Sequence, residues 1–259
     1  IHDLDPVLIH LGPLSIRYYS LAYLIGALLV YGTLWYCIRK GLLTSLTNKE
    51  LDNLMGTLVI GLVAGARLGF FIFYKPWALW QDPLEIFMIW HGGMAFHGGV
   101  IGLALAGIWY ARKHHISFME IADIVVLPAA FGLFLGRIAN FINGELVGIP
   151  TTVPWCVVFE GLQDGICRHP SQLYEALKNL ALVALTSILL IFTFRKRLPK
   201  GYVFWSFITG YGVLRFLVTF LREDPSVFWT ISWGQILSLS MAIIGGCMLL
   251  HLSLKTRKT

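Results

Sequence analysis

The sequence predicts an all-α membrane protein with seven transmembrane helices, its N-terminus outside and its C-terminus in the cytoplasm. Three observations predict it. Of 259 residues, 57% are hydrophobic and only 13% charged, about half the charged share of a soluble domain. Seven long runs are nearly free of charge. The cations between those runs are distributed unequally. The composition excludes a water-soluble globule, which could not cover its surface, and excludes disorder, which requires low hydrophobicity and high charge.

The runs, in order, are Tyr18–Ile38, Leu54–Tyr74, Met94–Ala111, Ile121–Ile142, Leu173–Phe194, Gly201–Leu221 and Trp233–Leu254. Each approaches the roughly 20 residues needed to cross a hydrocarbon core, where only helices satisfy their own backbone hydrogen bonds. Seven crossings place the termini on opposite sides. Twelve of the 20 Lys and Arg, from Arg39-Lys40 to Lys255 and Arg257-Lys258, fall on the side of the C-terminus, and four (Arg17, Lys75, Arg168, Arg222) on the other. The positive-inside rule then makes the C-terminal side cytoplasmic. The net charge of +6 is thus mostly topology. It does not form the continuous patch that nucleic acid would need, so no nucleic-acid partner is expected. The opening Ile1–Pro6 lacks a basic leader segment, and the first span is expected to be its own insertion signal.

The whole of 1–259 reads as one integral membrane domain, with 143–172 as its extracytoplasmic loop; Pro150, Pro154 and Pro170 argue against helix there. Trp77, Trp80, Trp90, Trp155, Trp229 and Trp233 mark outer ends of spans, and Trp77–Trp90 reads as a short interfacial helix. Cys37 and Cys247 read as small apolar packers. Cys156 and Cys167 share the outer loop, where a disulfide is open to them, but two Cys in one loop set no distance. Cys–His clusters with metal-ligand spacing are absent, so no metal is expected.

The remaining four cations, Arg67, Arg137, Lys178 and Arg215, lie inside spans, where ionisable groups are costly and default to functional sites. Lys178 is three residues from Glu175 near a span end and reads as a structural pair with a snorkelling lysine. Asp123 reads as a cap of its own helix or a partner of a nearby cation. Three segments read as chemistry. In Gly92-Gly93-Met94-Ala95-Phe96-His97-Gly98-Gly99 the glycines suit close helix packing, which leaves His97 unexplained; a neutral imidazole there can take a proton. In Gly136–Glu145, Arg137, Asn140 and Gly144 share one helix face and Asn143 and Glu145 continue it, a set suited to a phosphate. In the sixth span Tyr211, Arg215, Thr219 and Arg222 form one stripe. Glu175 is the one plausible acidic partner for Arg137 and Arg215, so an anionic ligand would supply the missing charge. Arg168–Glu175, with His169, adds polar groups at the outer end of the fifth span.

These same segments, with Asp5-Pro6, Arg17-Tyr18-Tyr19, Asp82-Pro83-Leu84 and Trp233-Gly234-Gln235, resemble the bacterial phosphatidylglycerol–prolipoprotein diacylglyceryl transferases over nearly the full chain. The resemblance implies seven spans in the bacterial inner membrane. It implies transfer of the sn-1,2-diacylglyceryl group from phosphatidylglycerol to the lipobox Cys thiol of a preprolipoprotein, giving a thioether and glycerol-1-phosphate, without a cofactor. It implies catalytic roles for His97, Arg137 and Arg215. The substrate-binding set then comprises Tyr19, Arg137, Asn140, Asn143, Glu145, Gly148, His169, Tyr211 and Arg215, with phosphatidylglycerol, the lipobox signal peptide and membrane lipids as partners. One departure stands out: Thr219 occupies the place of a family Glu four residues after the Arg of the sixth span, and the loop between Gly148 and Arg168 is short for the family. From the residues alone, an anion or lipid transporter using the same Arg pair is the alternative, and a non-catalytic lipid-binding subunit a third.

Overall fold

The computed structural model describes residues 1–11, 14–223, 226–228 and 231–256; Asp224, Trp229, Arg257 and Lys258 lie outside the described residues. The chain is helical, with seven helices of eighteen or more residues among the described residues: α1 (Tyr18–Arg39), α2 (Asn48–Tyr74), α4 (Phe96–Lys113), α5 (Phe118–Ile142), α6 (Ser171–Phe194), α7 (Tyr202–Thr219) and α8 (Trp233–Thr256). Six of them, all but α4, are long and apolar enough to cross a membrane. The 18-residue α4 is roughly 27 Å long at helical rise, but His97 at one end and Arg112 and Lys113 at the other lower its hydropathy.

Helix starts differ most from expectation where polar residues cap them. The second helix begins at Asn48, six residues before Leu54, because Thr47 and Glu50 form a capping box: the Glu50 amide donates to Thr47 Oγ1 (3.3 Å) and the Thr47 amide to Glu50 Oε2 (2.8 Å). The expected interfacial helix at Trp77–Trp90 is instead three short turns, α3 (Ala78–Gln81) and 3-10 turns at Pro83–Phe87 and Ile89–His91. Pro83 supplies no amide to extend the first turn across Asp82. The tryptophans there, Trp77, Trp80 and Trp90, are exposed, as are Trp155 and Trp233.

Backbone packing divides the chain into two compact units, Leu34–Ile121 and Ile1–Thr33 with Ala122–Thr259. The first is built on α2 against α4. Gly61, Gly65 and Gly69, spaced four apart along α2, meet Gly98, Gly102 and Ala106 of α4; a Cβ on Gly65 would stand 2.7 Å from the Gly102 Cα, and one on Gly69 2.7 Å from the Gly98 Cα. Small residues at this spacing let two backbones touch, which is how helices associate where no hydrophobic effect separates them from lipid. The close-packing reading of Gly98 is therefore correct. The Tyr110 hydroxyl ties the far end, donating to the Glu50 carbonyl at 2.9 Å.

The second unit holds α5 to α8, the start of α1 and the loop 143–170. Helices α7 and α8 touch through Gly212, where a Cβ would lie 2.6 Å from both the Ala242 nitrogen and the Ser238 oxygen. Asp123 does not cap its own helix. It is buried, and its carboxylate accepts from the Gly201 amide (2.6 Å) and the Phe204 amide (2.8 Å), capping α7. The loop carries an antiparallel pair, β3 (Val157–Val158) with β4 (Cys167–Arg168), stapled by a disulfide between Cys156 and Cys167; two further two-stranded pairs, β1 (Val7–Leu11) with β2 (Leu14–Arg17) and β5 (Ser226–Phe228) with β6 (Ile231–Ser232), precede α1 and α8.

Replacing Gly102 by Leu is expected to force α2 and α4 apart, a core overpacking that costs about 1–3 kcal/mol or more. Gly32 of α1 has open space around it, so Gly32→Leu is the control. Thermal unfolding of the two detergent-solubilised variants should show a lowered midpoint for Gly102→Leu alone.

Candidate active site

The centre of the site is a carboxylate with no exposure at all, Glu175, in the second turn of α6. Three cations from three helices converge on it. Arg215 of α7 donates from Nη1 to Glu175 Oε1. Lys178, one turn on along α6, donates from Nζ to Oε2 at 2.6 Å. Arg137 of α5 brings its Nε to within 3.7 Å of Oε2. Lys178 does not snorkel: it is buried, and its Nζ also stands 3.9 Å from the centroid of the Tyr211 ring of α7, a cation–π contact. Arg215 thus has its carboxylate partner from another helix, with Thr219 four residues after it. Thr219 is buried and turns its hydroxyl back to the Arg215 carbonyl at 2.7 Å.

A chain of hydrogen bonds runs from this cluster toward the loop. Arg137 Nη1 donates to Asn140 Oδ1 (3.2 Å), Asn140 Nδ2 to Glu145 Oε1 (2.7 Å), and Asn143 Nδ2 to the same Glu145 oxygen (3.2 Å). Gln172 of α6 donates to the Glu145 carbonyl at 2.7 Å. The first helical turn beyond Arg137 and the first turn of α6 are thereby locked together. Tyr19 lies in the same unit, its hydroxyl 3.1 Å from that of Tyr23. One unit therefore assembles Tyr19, Arg137, Asn140, Asn143, Glu145, Tyr211 and Arg215. Glu175 is the acidic partner expected for Arg137 and Arg215, and it meets both; its expected pairing with Lys178 is also present, with Lys178 buried.

Gly148 and His169 hold the loop. The Gly148 amide donates to the His169 carbonyl (3.0 Å) and the Ile149 amide to the Leu221 carbonyl (3.2 Å). A Cβ on Gly148 would lie 2.6 Å from the Leu221 oxygen and from the His169 Cβ, so only glycine permits this approach. The His169 ring bonds the Tyr174 hydroxyl at 3.1 Å, which also accepts from Trp155 Nε1 at 2.7 Å. Arg168, buried, clamps the loop by donating to Asp164 (2.7 Å) and to Glu223. The Ile166 amide and then Arg168 hold the Asp164 carboxyl below the ordinary Asp value, while the Asp164 bond holds the guanidinium above its own.

His97 belongs to the other unit, exposed at the start of α4 with its ring edge-on to Phe96. The segment before it is fixed by Arg67, a buried cation of α2. Its guanidinium donates to the carbonyls of Ile86 (3.1 Å), Glu85 (2.6 Å), Met88 (2.8 Å), Gly93 (3.1 Å) and Gly92. Five carbonyls in one fan require the positive φ of Gly92 and Gly93, 76° and 81°. Arg67 therefore satisfies backbone, whereas Arg137 and Arg215 meet the Glu175 carboxylate.

Fold and cluster together define a class: an all-α, multi-pass membrane protein with a buried cationic site. Within that class the chain belongs to the prolipoprotein diacylglyceryl transferase family, whose model matches residues 6–251. Similar proteins include the phosphatidylglycerol–prolipoprotein diacylglyceryl transferase of Bordetella parapertussis, 43% identical over 247 residues, 94% of this chain and 93% of its own. That of Geobacter sulfurreducens is 42% identical, covering 93% of each chain. That of Bordetella avium is 44% identical over 254 residues, 96% of this chain and 94% of its own.

Two outcomes follow. Replacing Glu175 by Ala leaves three cations without their shared carboxylate, a loss of about 3–5 kcal/mol, read as a lowered unfolding midpoint. At the loop, the Asp164 pK is depressed on folding, so its clamp is fully present above the ordinary Asp value of 3.8 and lost as pH falls below it. Protease sensitivity of 160–168 should rise as pH falls through that range, and Asp164→Asn should show no such dependence.

Proposed function

We propose that the chain transfers the sn-1,2-diacylglyceryl group of phosphatidylglycerol to the lipobox Cys of a preprolipoprotein, in the bacterial inner membrane. Family membership supports the activity. The single observation that carries the site is the cluster of Arg137, Arg215 and Lys178 around Glu175, more cation than its own carboxylate offsets, as the phosphate of a lipid donor requires.

In this reading the thiol sulfur attacks the glyceryl carbon esterified to phosphate. The new carbon–sulfur bond forms as the carbon–oxygen bond breaks, and the electron pair leaves on glycerol-1-phosphate. Arg137 and Arg215 face that growing charge with donors already in place, so little reorganisation is needed as the bond breaks. The family resemblance assigns the thiol proton to His97, or to a group it orients, since the thiolate is the nucleophile; within its own unit the Arg67 fan holds the backbone before His97. Asn140 orients Arg137, and Tyr211 bounds the site from α7.

The finer topology is seven crossings, with α4 as the seventh, the N-terminus outside and loop 143–172 extracytoplasmic. The unequal cations support this, as does the Cys156–Cys167 disulfide, a bond suited to an oxidising compartment.

His97→Ala and Arg137→Ala are expected to lower transfer from phosphatidylglycerol to a lipobox peptide by at least about a hundredfold, with unchanged amounts of protein in the membrane. Wild-type transfer by either variant would remove that residue from its role.

A further inference from the structure

One helical turn beyond Glu175, Asn179 is buried to 1% exposure, and among the described residues neither its Oδ1 nor its Nδ2 has a hydrogen-bond partner. Such a side chain is uncommon, since an unsatisfied buried amide costs about as much as a lost hydrogen bond. Its direction is fixed by its neighbours on the helix. Glu175, four residues before it, faces Arg137 of α5 and Arg215 of α7. Leu182, three residues after it, packs on Gly210 of α7, where an added Cβ would lie 2.9 Å from a Leu182 methyl. Residues at i−4, i and i+3 share a helix face, so the Asn179 carboxamide lies on the face that α6 turns toward the ion cluster, about 6 Å further along the axis.

We propose that Asn179 is a specificity residue for the lipid donor, with its Nδ2 donating to a glyceryl ester carbonyl of the bound phospholipid. This rests on the reading that Arg137 and Arg215 hold the phosphate. The outer end of α6 is then its N-terminus, and moving from Glu175 to Asn179 moves deeper into the bilayer. The part of a glycerophospholipid next below its phosphate is the glyceryl backbone with two ester carbonyls, which accept hydrogen bonds and donate none. A carboxamide meets that need with its donor and leaves its oxygen for a water. An apolar residue would serve the acyl chains but not the esters. The contact would align the glyceryl carbon against the incoming sulfur, because the lipid is then held both at its phosphate and one turn below.

The test compares two donors, diacyl phosphatidylglycerol and its dialkyl ether analogue, which keeps headgroup, phosphate and reacting carbon but lacks both carbonyls. The full-length protein and Asn179→Leu, which fills similar space and removes the orphaned amide, are assayed with the same lipobox peptide. The wild-type protein should prefer the diacyl donor by about three- to tenfold in kcat/KM, the range one uncharged hydrogen bond supplies. Asn179→Leu should lose most of that preference by slowing with the diacyl donor alone. A wild type indifferent to the ester, or a variant that slows equally with both lipids or with neither, would overturn the proposal. The phosphate reading fails separately: Arg137→Ala would then keep wild-type transfer, whatever the ester comparison shows.

Discussion

The Glu175 carboxylate, fully buried and shared by Arg137, Lys178 and Arg215, is the constraint on which the site depends. A lone ion of either sign in that position would be too costly, because removal from water takes several kcal/mol that only close opposite charge returns. The carboxylate makes it possible for three cations to stand inside a bundle of apolar helices. In doing so it fixes the rotation of α5, α6 and α7 about their axes, since each must turn one particular residue inward. The same carboxylate orients both guanidinium groups, the arrangement that the proposed phosphate site would use.

Around that centre the other contacts act as supports. The Asn140 and Asn143 amides converge on one Glu145 oxygen, joining the end of α5 to the loop, and Gln172 joins that corner to α6. Gly148 lets the loop backbone approach His169 and Leu221, and the Cys156–Cys167 disulfide and the Arg168 clamp close it. In the other unit, Arg67 plays a comparable part for the segment before His97, but toward backbone carbonyls instead of a carboxylate. Two arginines drawn from similar apolar runs thus do different work, and the difference lies in what faces them.

Much of this was legible in the sequence. The helices follow from apolar length, and they are found within a few residues of where hydropathy places them, except where the Thr47–Glu50 box extends α2. Arg137 with Asn140 and Glu145 could be read because they are local to one helix face and its end. Charge balance points to Glu175 as the partner of Arg137 and Arg215 across helices, but local pattern does not show where Asp123 goes. It reads as a cap of its own helix or a partner of a nearby cation, and it accepts from the amides of Gly201 and Phe204 at the start of another helix. Lys178 keeps its expected pairing with Glu175 but does not snorkel, because it is buried against Tyr211 of another helix. The interfacial helix at Trp77–Trp90 is broken for a local reason, Pro83. At Gly148 the close approach to His169 and Leu221 gives a structural reason for glycine that the sequence does not show.

The proposed function has Arg137, Arg215 and Lys178, gathered on the buried Glu175, bind the phosphate of the lipid whose diacylglyceryl group is transferred. The most direct measurement incubates the purified protein with isotopically labelled phosphatidylglycerol and a lipobox peptide and weighs the peptide. The account predicts one diacylglyceryl mass on the Cys sulfur and an equal yield of labelled glycerol phosphate, both lost when Arg137 and Arg215 are replaced by Ala. An unmodified peptide with the wild-type protein, or an unchanged yield after both replacements, would contradict it.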